Sequence, residues 1–175
     1  MITLYKGARG RGKTLTMVKD ALQFYLNGWN VYSNMKGVHF AEFIDSKEIL
    51  KINKESTLYN CVLLIDEIQS LFDSRRSMAK GNLDFSYFLQ QIRKRGIVLL
   101  CTTQYSNTVD IRLRQHVDII AIPRFNKRFN VCQVQYIDLT TIEDEDYGIA
   151  EPEKVVLTYD ATSIFGLYDT KEIIV

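Results

Sequence analysis

The segment Gly7-Ala8-Arg9-Gly10-Arg11-Gly12-Lys13-Thr14 constrains this chain more than any other. It fits the pattern G-x-x-x-x-G-K-[ST] in full. It stands between a short β-type run, Ile2 to Lys6, and a helical pattern, Lys13 to Leu26. Glycines let a backbone wrap closely around phosphate, and successive N–H groups together with a helix N-terminus then face the anion. The spacing predicts a nucleotide cradle running from Gly7 through Thr14, with Leu15 following on the helix. Lys13 is expected to reach the β- and γ-phosphates, and Thr14 to coordinate Mg²⁺. Arg9 and Arg11 either assist phosphate binding or occupy tolerated surface positions. A glycine-rich turn with no ligand is the alternative, and the strand and helix around the segment argue against it.

The rest of the chain supplies the fold that such a loop needs. Leu15, Val18, Leu22 and Leu26 lie near one face of the first helix, which Asn27-Gly28 closes. Trp29 to Ser33 reads as a strand, and His39 to Asn53 as one or two short helices. Cys61 to Ile65 is a fully apolar strand ending in Asp66-Glu67. Asp73 to Asn82 has no helical period and reads as a loop carrying Arg75, Arg76 and Lys80. A helix over Leu83 to Arg95 ends at Gly96, and Ile97 to Thr103 is a second buried strand. Val109 to His116 is expected to be helical and Val117 to Ile122 a strand. Continuous apolar strands separated by helices predict an α/β fold with a mostly parallel sheet covered on both faces. The character then shifts. Phe129 to Leu139 alternates loosely, Glu143 to Asp146 is an acidic turn, and Lys154 to Tyr159 is β-like. We expect one domain over residues 1–175, with a core over about 1–125 and a β-rich extension over about 126–175.

Composition narrows the classes further. Hydrophobic residues make up 46% and charged residues 25%, which excludes global disorder. Lys and Arg number 22 against 21 Asp and Glu, a net charge of +1, so any basic surface must be local. Cys61, Cys101 and Cys132 each sit in apolar or β-type sequence, which argues for buried thiols rather than disulfides or zinc. His39 and His116 stand alone, against a histidine metal site. No apolar run approaches the ~18–20 residues that span a bilayer, and Met1 to Lys6 turns polar too quickly for a signal peptide. The expectation is a protein of the host cytoplasm or associated with a virion.

Two further constellations accompany the phosphate loop. Asp66 ends a buried strand where it can hold the nucleotide's metal through water, and Glu67 is the candidate general base for an attacking water. A carboxylate base beside the metal acid suits ATP hydrolysis better than a small-molecule kinase, for which the sequence offers no clear lid. Gln104 ends the next buried strand behind Thr102-Thr103. Its amide can bond both γ-phosphate and attacking water, and so sense phosphate.

This order of a phosphate loop (Walker A), an Asp-Glu strand end (Walker B) and a strand ending in Thr-Gln resembles the FtsK–HerA superfamily of DNA-pumping ATPases. Within it the likeness is to the zonula occludens toxin-like and viral packaging ATPases. Three stretches carry it: Leu64 to Gln69, Ile92 to Ile97 running into Gln104, and Phe165 to Thr170. The resemblance implies a RecA-like P-loop domain, ATP and Mg²⁺ as ligands, and a ring, hexameric by expectation, acting on double-stranded DNA. It also implies an arginine that reaches a neighbouring subunit's nucleotide, with Arg93 and Arg95 as candidates and Arg112 and Arg114 behind them. Arg75, Arg76 and Lys80 are candidate DNA contacts, with a solvated loop as the competing reading. Assembly proteins of filamentous phages with this likeness usually continue into a membrane segment. The chain has none of its own, which favours a motor that packages a viral genome into a preformed shell. The alternatives are an assembly or secretion ATPase with a membrane protein partner, and a small P-loop kinase.

Overall fold

Alternation along the buried strands decides which helix covers which face. In the computed structural model, which describes residues 1–49, 58–71, 80–104, 111–142 and 151–169, the strand β4 (Cys61–Ile65) is buried along its whole length. Its Val62 and Leu64 pack with Leu15 and Val18 of helix α1 (Lys13–Leu26). Its Cys61, Leu63 and Ile65 pack with Phe88, Leu89 and Ile92 of helix α4 (Lys80–Lys94) on the opposite face. Burial of each such side chain stabilises the fold by about 1.5–3 kcal/mol, so covering both faces is what lets an unbroken apolar strand persist.

The remaining elements complete an eight-stranded sheet. Its strands are β1 (Ile2–Lys6), β2 (Asn30–Ser33), β3 (Glu42–Phe43), β4, β5 (Val98–Thr103), β6 (Ile119–Asn126), β7 (Val131–Asp138) and β8 (Glu153–Asp160). The order across the sheet is β3-β2-β4-β5-β1-β6-β7-β8. The first six run parallel, and β7 and β8 are added antiparallel, so the β-rich extension continues the same sheet. Short helices α2 (Ser46–Ile49), α3 (Ile68–Leu71) and α5 (Ile111–His116) lie between strands. Register sets the position of the site. Lys6 pairs with Thr103, and Ile65 with Cys101, so β1, β4 and β5 end together at one edge of the sheet.

The α/β class, the parallel core and the bounds of α1 agree with the sequence reading. Two details differ. The segment from His39 is not wholly helical: Glu42–Phe43 pairs with β2, and Ile44 N–H donates to Ser33 O at 2.9 Å. The open edge of β2 offers hydrogen-bond partners that no helical periodicity in this stretch opposes. Helix α4 begins at Lys80, so residues 80–82 are helical rather than loop. Arg75, Arg76 and the acidic turn Glu143 to Asp146 lie outside the described residues. All three cysteines are buried. Among the described residues no helix is long and apolar enough to cross a membrane.

Candidate nucleotide site

The phosphate loop leaves β1 and turns into α1 through Gly12, whose φ of 89° is left-handed. A Cβ there would stand 3.1 Å from the Phe125 Cβ and 3.3 Å from the Cys132 sulfur, so both backbone conformation and space require glycine. Gly12 carries no side-chain cap, which leaves the first-turn amides of α1 for an anion. Lys13 is 7% exposed, and its Nζ lies 3.4 Å from Ala8 O, folded back over the loop. Thr14 follows on the first turn and donates from Oγ1 to Asp66 Oδ1 at 2.9 Å.

Asp66 and Glu67 come off the end of β4 beside that turn. Thr102 Oγ1 donates to Asp66 Oδ1 at 2.6 Å and accepts the Glu67 N–H at 2.9 Å, so one hydroxyl fixes both acids. Asn34 holds the Asp66 backbone from the other side, accepting its N–H at 2.9 Å and donating to its carbonyl at 3.1 Å. Burial pushes the Asp66 carboxyl up from its ordinary range. Hydrogen bonds from Thr102 and Thr14 and the charge of Lys13 oppose that shift, while the charge of Glu67 adds to it. Glu67 adopts a left-handed φ of 54°, an uncommon conformation for a residue with a side chain. Its carboxylate lies between two amides: Gln104 Nε2 donates to Oε1 at 2.9 Å, and Gln69 Nε2 donates to Oε2. Among the described residues Gln69 Oε1 is buried without a partner.

A desolvated carboxylate beside a threonine hydroxyl, next to amides that suit an anion, fits a hard divalent cation carried in with nucleotide phosphates. Such a cation takes one or two protein oxygens rather than a full cage. Thr14 and Asp66 are the residues that would hold it; bound there, it would offset charge on the β- and γ-phosphates.

The family model for zonular occludens toxin (Zot) matches residues 1–171. The chain belongs to the Zot family. No curated protein sequence matches it. Among solved structures, the N-terminal domain of zonular occludens toxin from Neisseria meningitidis superposes with a TM-score of 0.66 at 19% identity. That match covers 96% of this chain and 98% of the other. The genome packaging NTPase B204 from Sulfolobus turreted icosahedral virus 2, in complex with AMPPCP, gives 0.62 at 13% identity, covering 89% and 95%. The flagellar accessory protein FlaH from Methanocaldococcus jannaschii gives 0.54 at 13% identity, covering 79% and 77%. The fold is that of RecA-like P-loop NTPases.

In this Zot-family chain the structure brings Gly7 to Thr14, Asp66, Glu67 and Gln104 to one edge of the sheet. It does not bring Arg93 and Arg95 to that edge. Arg93 Nη2 pairs with Asp118 Oδ1 at 3.1 Å, and the same carboxylate accepts the Ile2 N–H at 2.6 Å, at the start of β1. Arg95 is 5% exposed. It bonds Gln91 Oε1 at 3.2 Å and stacks 4.6 Å from the Tyr59 ring. Arg114 is exposed on α5. The C-terminal stretch does return toward the site. Phe165 meets Phe125 edge-on at 6.0 Å. Burial, then the charge of Asp66, pushes the Tyr168 hydroxyl up to about 12.

Sequence reasoning missed Asn34 and the part played by Gln69. Asn34 follows a strand end, where asparagine is an ordinary turn residue, and no motif spacing singles it out. Gln69 stands two residues after Glu67, and only the left-handed turn at Glu67 folds its amide back onto that carboxylate.

Proposed function

We propose that the chain is the ATP-hydrolysing motor domain of a virus- or phage-type machine that moves DNA. The observation that carries this reading is the Glu67 carboxylate, fixed between Gln104 and Gln69 beside the Thr14–Asp66 pair. In this role Lys13 and the loop amides bind the β- and γ-phosphates, and Glu67 takes the proton of the attacking water. The Gln104 amide links that carboxylate to the γ-phosphate, so loss of phosphate is felt at the end of β5. The resemblance to a genome packaging NTPase supports double-stranded DNA as the cargo and a viral shell as the partner. A ring of subunits, hexameric by the resemblance to FtsK–HerA ATPases, places each nucleotide near a neighbour. Arg93, half exposed, has the reach for a trans role that Arg95 lacks.

The family match over residues 1–171 favours a second reading, an assembly or secretion ATPase acting through a membrane partner. Steady-state ATPase with and without duplex DNA separates the two. The packaging motor gives turnover stimulated several-fold by duplex, and Lys13→Ala reduces both basal and stimulated rates by about 100-fold or more. Turnover indifferent to DNA contradicts the packaging reading.

A further inference from the structure

The β6–β7 hairpin concentrates positive charge that the protein as a whole lacks. The net charge of the chain is +1. Yet Arg124, Lys127 and Arg128 fall within five residues of the hairpin, and they line one groove of about 760 Å³ together with Arg11 of the phosphate loop. Among the described residues no acid lines that groove. Among the described residues no carboxylate pairs with any of the four cations. The acid facing Val131 across the β7–β8 ladder, Asp160, directs its carboxylate to the N–H and hydroxyl of Thr162 at 2.9 and 2.8 Å. At the tip Phe129 is 65% exposed, with the Arg128 guanidinium 5.4 Å from its ring centre. Asn126 Oδ1 accepts the Arg128 N–H at 3.0 Å and shapes the turn that presents these side chains.

We infer that this groove and hairpin tip bind a nucleic-acid strand, with Arg124, Lys127 and Arg128 on successive phosphates and an unpaired base stacked on Phe129. The inference rests on the DNA-motor reading and goes beyond its double-stranded cargo, since it assigns an unpaired stretch of that DNA to the hairpin. Unpaired cations bind phosphates by releasing counterions, and an exposed aromatic ring accepts any base face. A nucleoside triphosphate is the less suited occupant, since the loop amides and Lys13 already serve its phosphates while three cations stand on the hairpin beyond them. The hairpin is also joined to the nucleotide site. Phe125 N–H donates to Arg11 O at 3.1 Å, and the Phe125 side chain packs against Gly12. That hydrogen bond and that contact are the route by which a change at the phosphate loop would reach the base of the hairpin.

The test is fluorescence anisotropy of a labelled oligo-dT and of a duplex of equal length, titrated across salt with the parent, Lys127→Gln/Arg128→Gln and Phe129→Ala. Binding of a fluorescent ATP analogue is measured on the same proteins. The double variant is expected to weaken oligo-dT binding roughly 10-fold and to flatten the log–log salt slope by about 1.4, with ATP affinity unchanged. Phe129→Ala is expected to weaken oligo-dT at least about 5-fold and duplex much less. Unchanged DNA affinity and slope in the double variant, with a parent that binds DNA, overturns the hairpin assignment and leaves the motor reading standing. Loss of ATP affinity with DNA binding intact also overturns it, and assigns the groove to the nucleotide. Equal losses on duplex and single strand for Phe129→Ala overturn the stacking role. A parent that binds neither nucleic acid overturns the inference together with the DNA reading.

Discussion

At the scale of single residues, the site is a set of carboxylates whose surroundings have been divided between them. Asp66 is desolvated and accepts hydroxyls from Thr14 and Thr102, whereas Glu67 accepts amides from Gln104 and Gln69. Burial raises the Asp66 pKa, and the sign of the consequence follows. A carboxyl raised on folding favours the fold below its unfolded value, near ~3.9, and that contribution is lost as pH rises through the folded value. Desolvation of the Asp66 carboxyl thus outweighs the hydrogen bonds from Thr102 and Thr14 and the Lys13 charge that favour its ionised form. Asp66→Asn is expected to raise Tm without nucleotide at pH 7.5, with the difference shrinking toward pH 4. A lower Tm than the parent at pH 7.5 contradicts this reading of Asp66. The two acids were legible in the sequence because a wholly apolar strand ended in them. Asn34 was not, because its bonds go to the Asp66 backbone thirty-two residues away. Nothing local marks such a partner.

At the scale of elements, the phosphate loop is held from behind by the antiparallel part of the sheet. Gly12 faces Phe125 of β6 and Cys132 of β7, while Gly10, also left-handed at φ 74°, has no neighbour within 4 Å of an added Cβ. Gly10→Ala carries only the backbone penalty, about 1 kcal/mol. Gly12→Ala adds crowding, for a total loss of roughly 2–3 kcal/mol. Denaturant midpoints for the two variants check the order, and equal losses would mean the hairpin gives way at no cost. The contrast also explains which elements the sequence revealed. Strands β1, β4 and β5 and helix α1 are continuous or periodic in their own residues. The β3 segment is two residues long and exists through pairing with β2, so its sequence holds no period to read. The start of α4 at Lys80 precedes the apolar positions Phe88, Leu89 and Ile92 that make the helix visible.

At the scale of the whole molecule, one edge of the sheet gathers the residues proposed to serve the nucleotide, and the opposite edge carries Arg93 with Asp118. A ring makes sense of that division if one subunit's far edge approaches its neighbour's site. Arg93→Ala is then expected to bind ATP normally and hydrolyse it about 10-fold or more slowly. Mixing it with Glu67→Gln subunits is expected to recover part of the activity, because some interfaces pair an intact base with an intact arginine. No recovery after verified subunit exchange contradicts a trans role for Arg93. The central claim is that Glu67 is the base of an ATPase, and the direct measurement is phosphate release by Glu67→Gln at saturating ATP, with ATP affinity measured on the same protein. Glutamine keeps the shape and the contact with Gln104 but loses basicity. The account predicts a rate lower by about 100-fold or more with ATP affinity within about 3-fold of the parent. Phosphate release near the parental rate would contradict it.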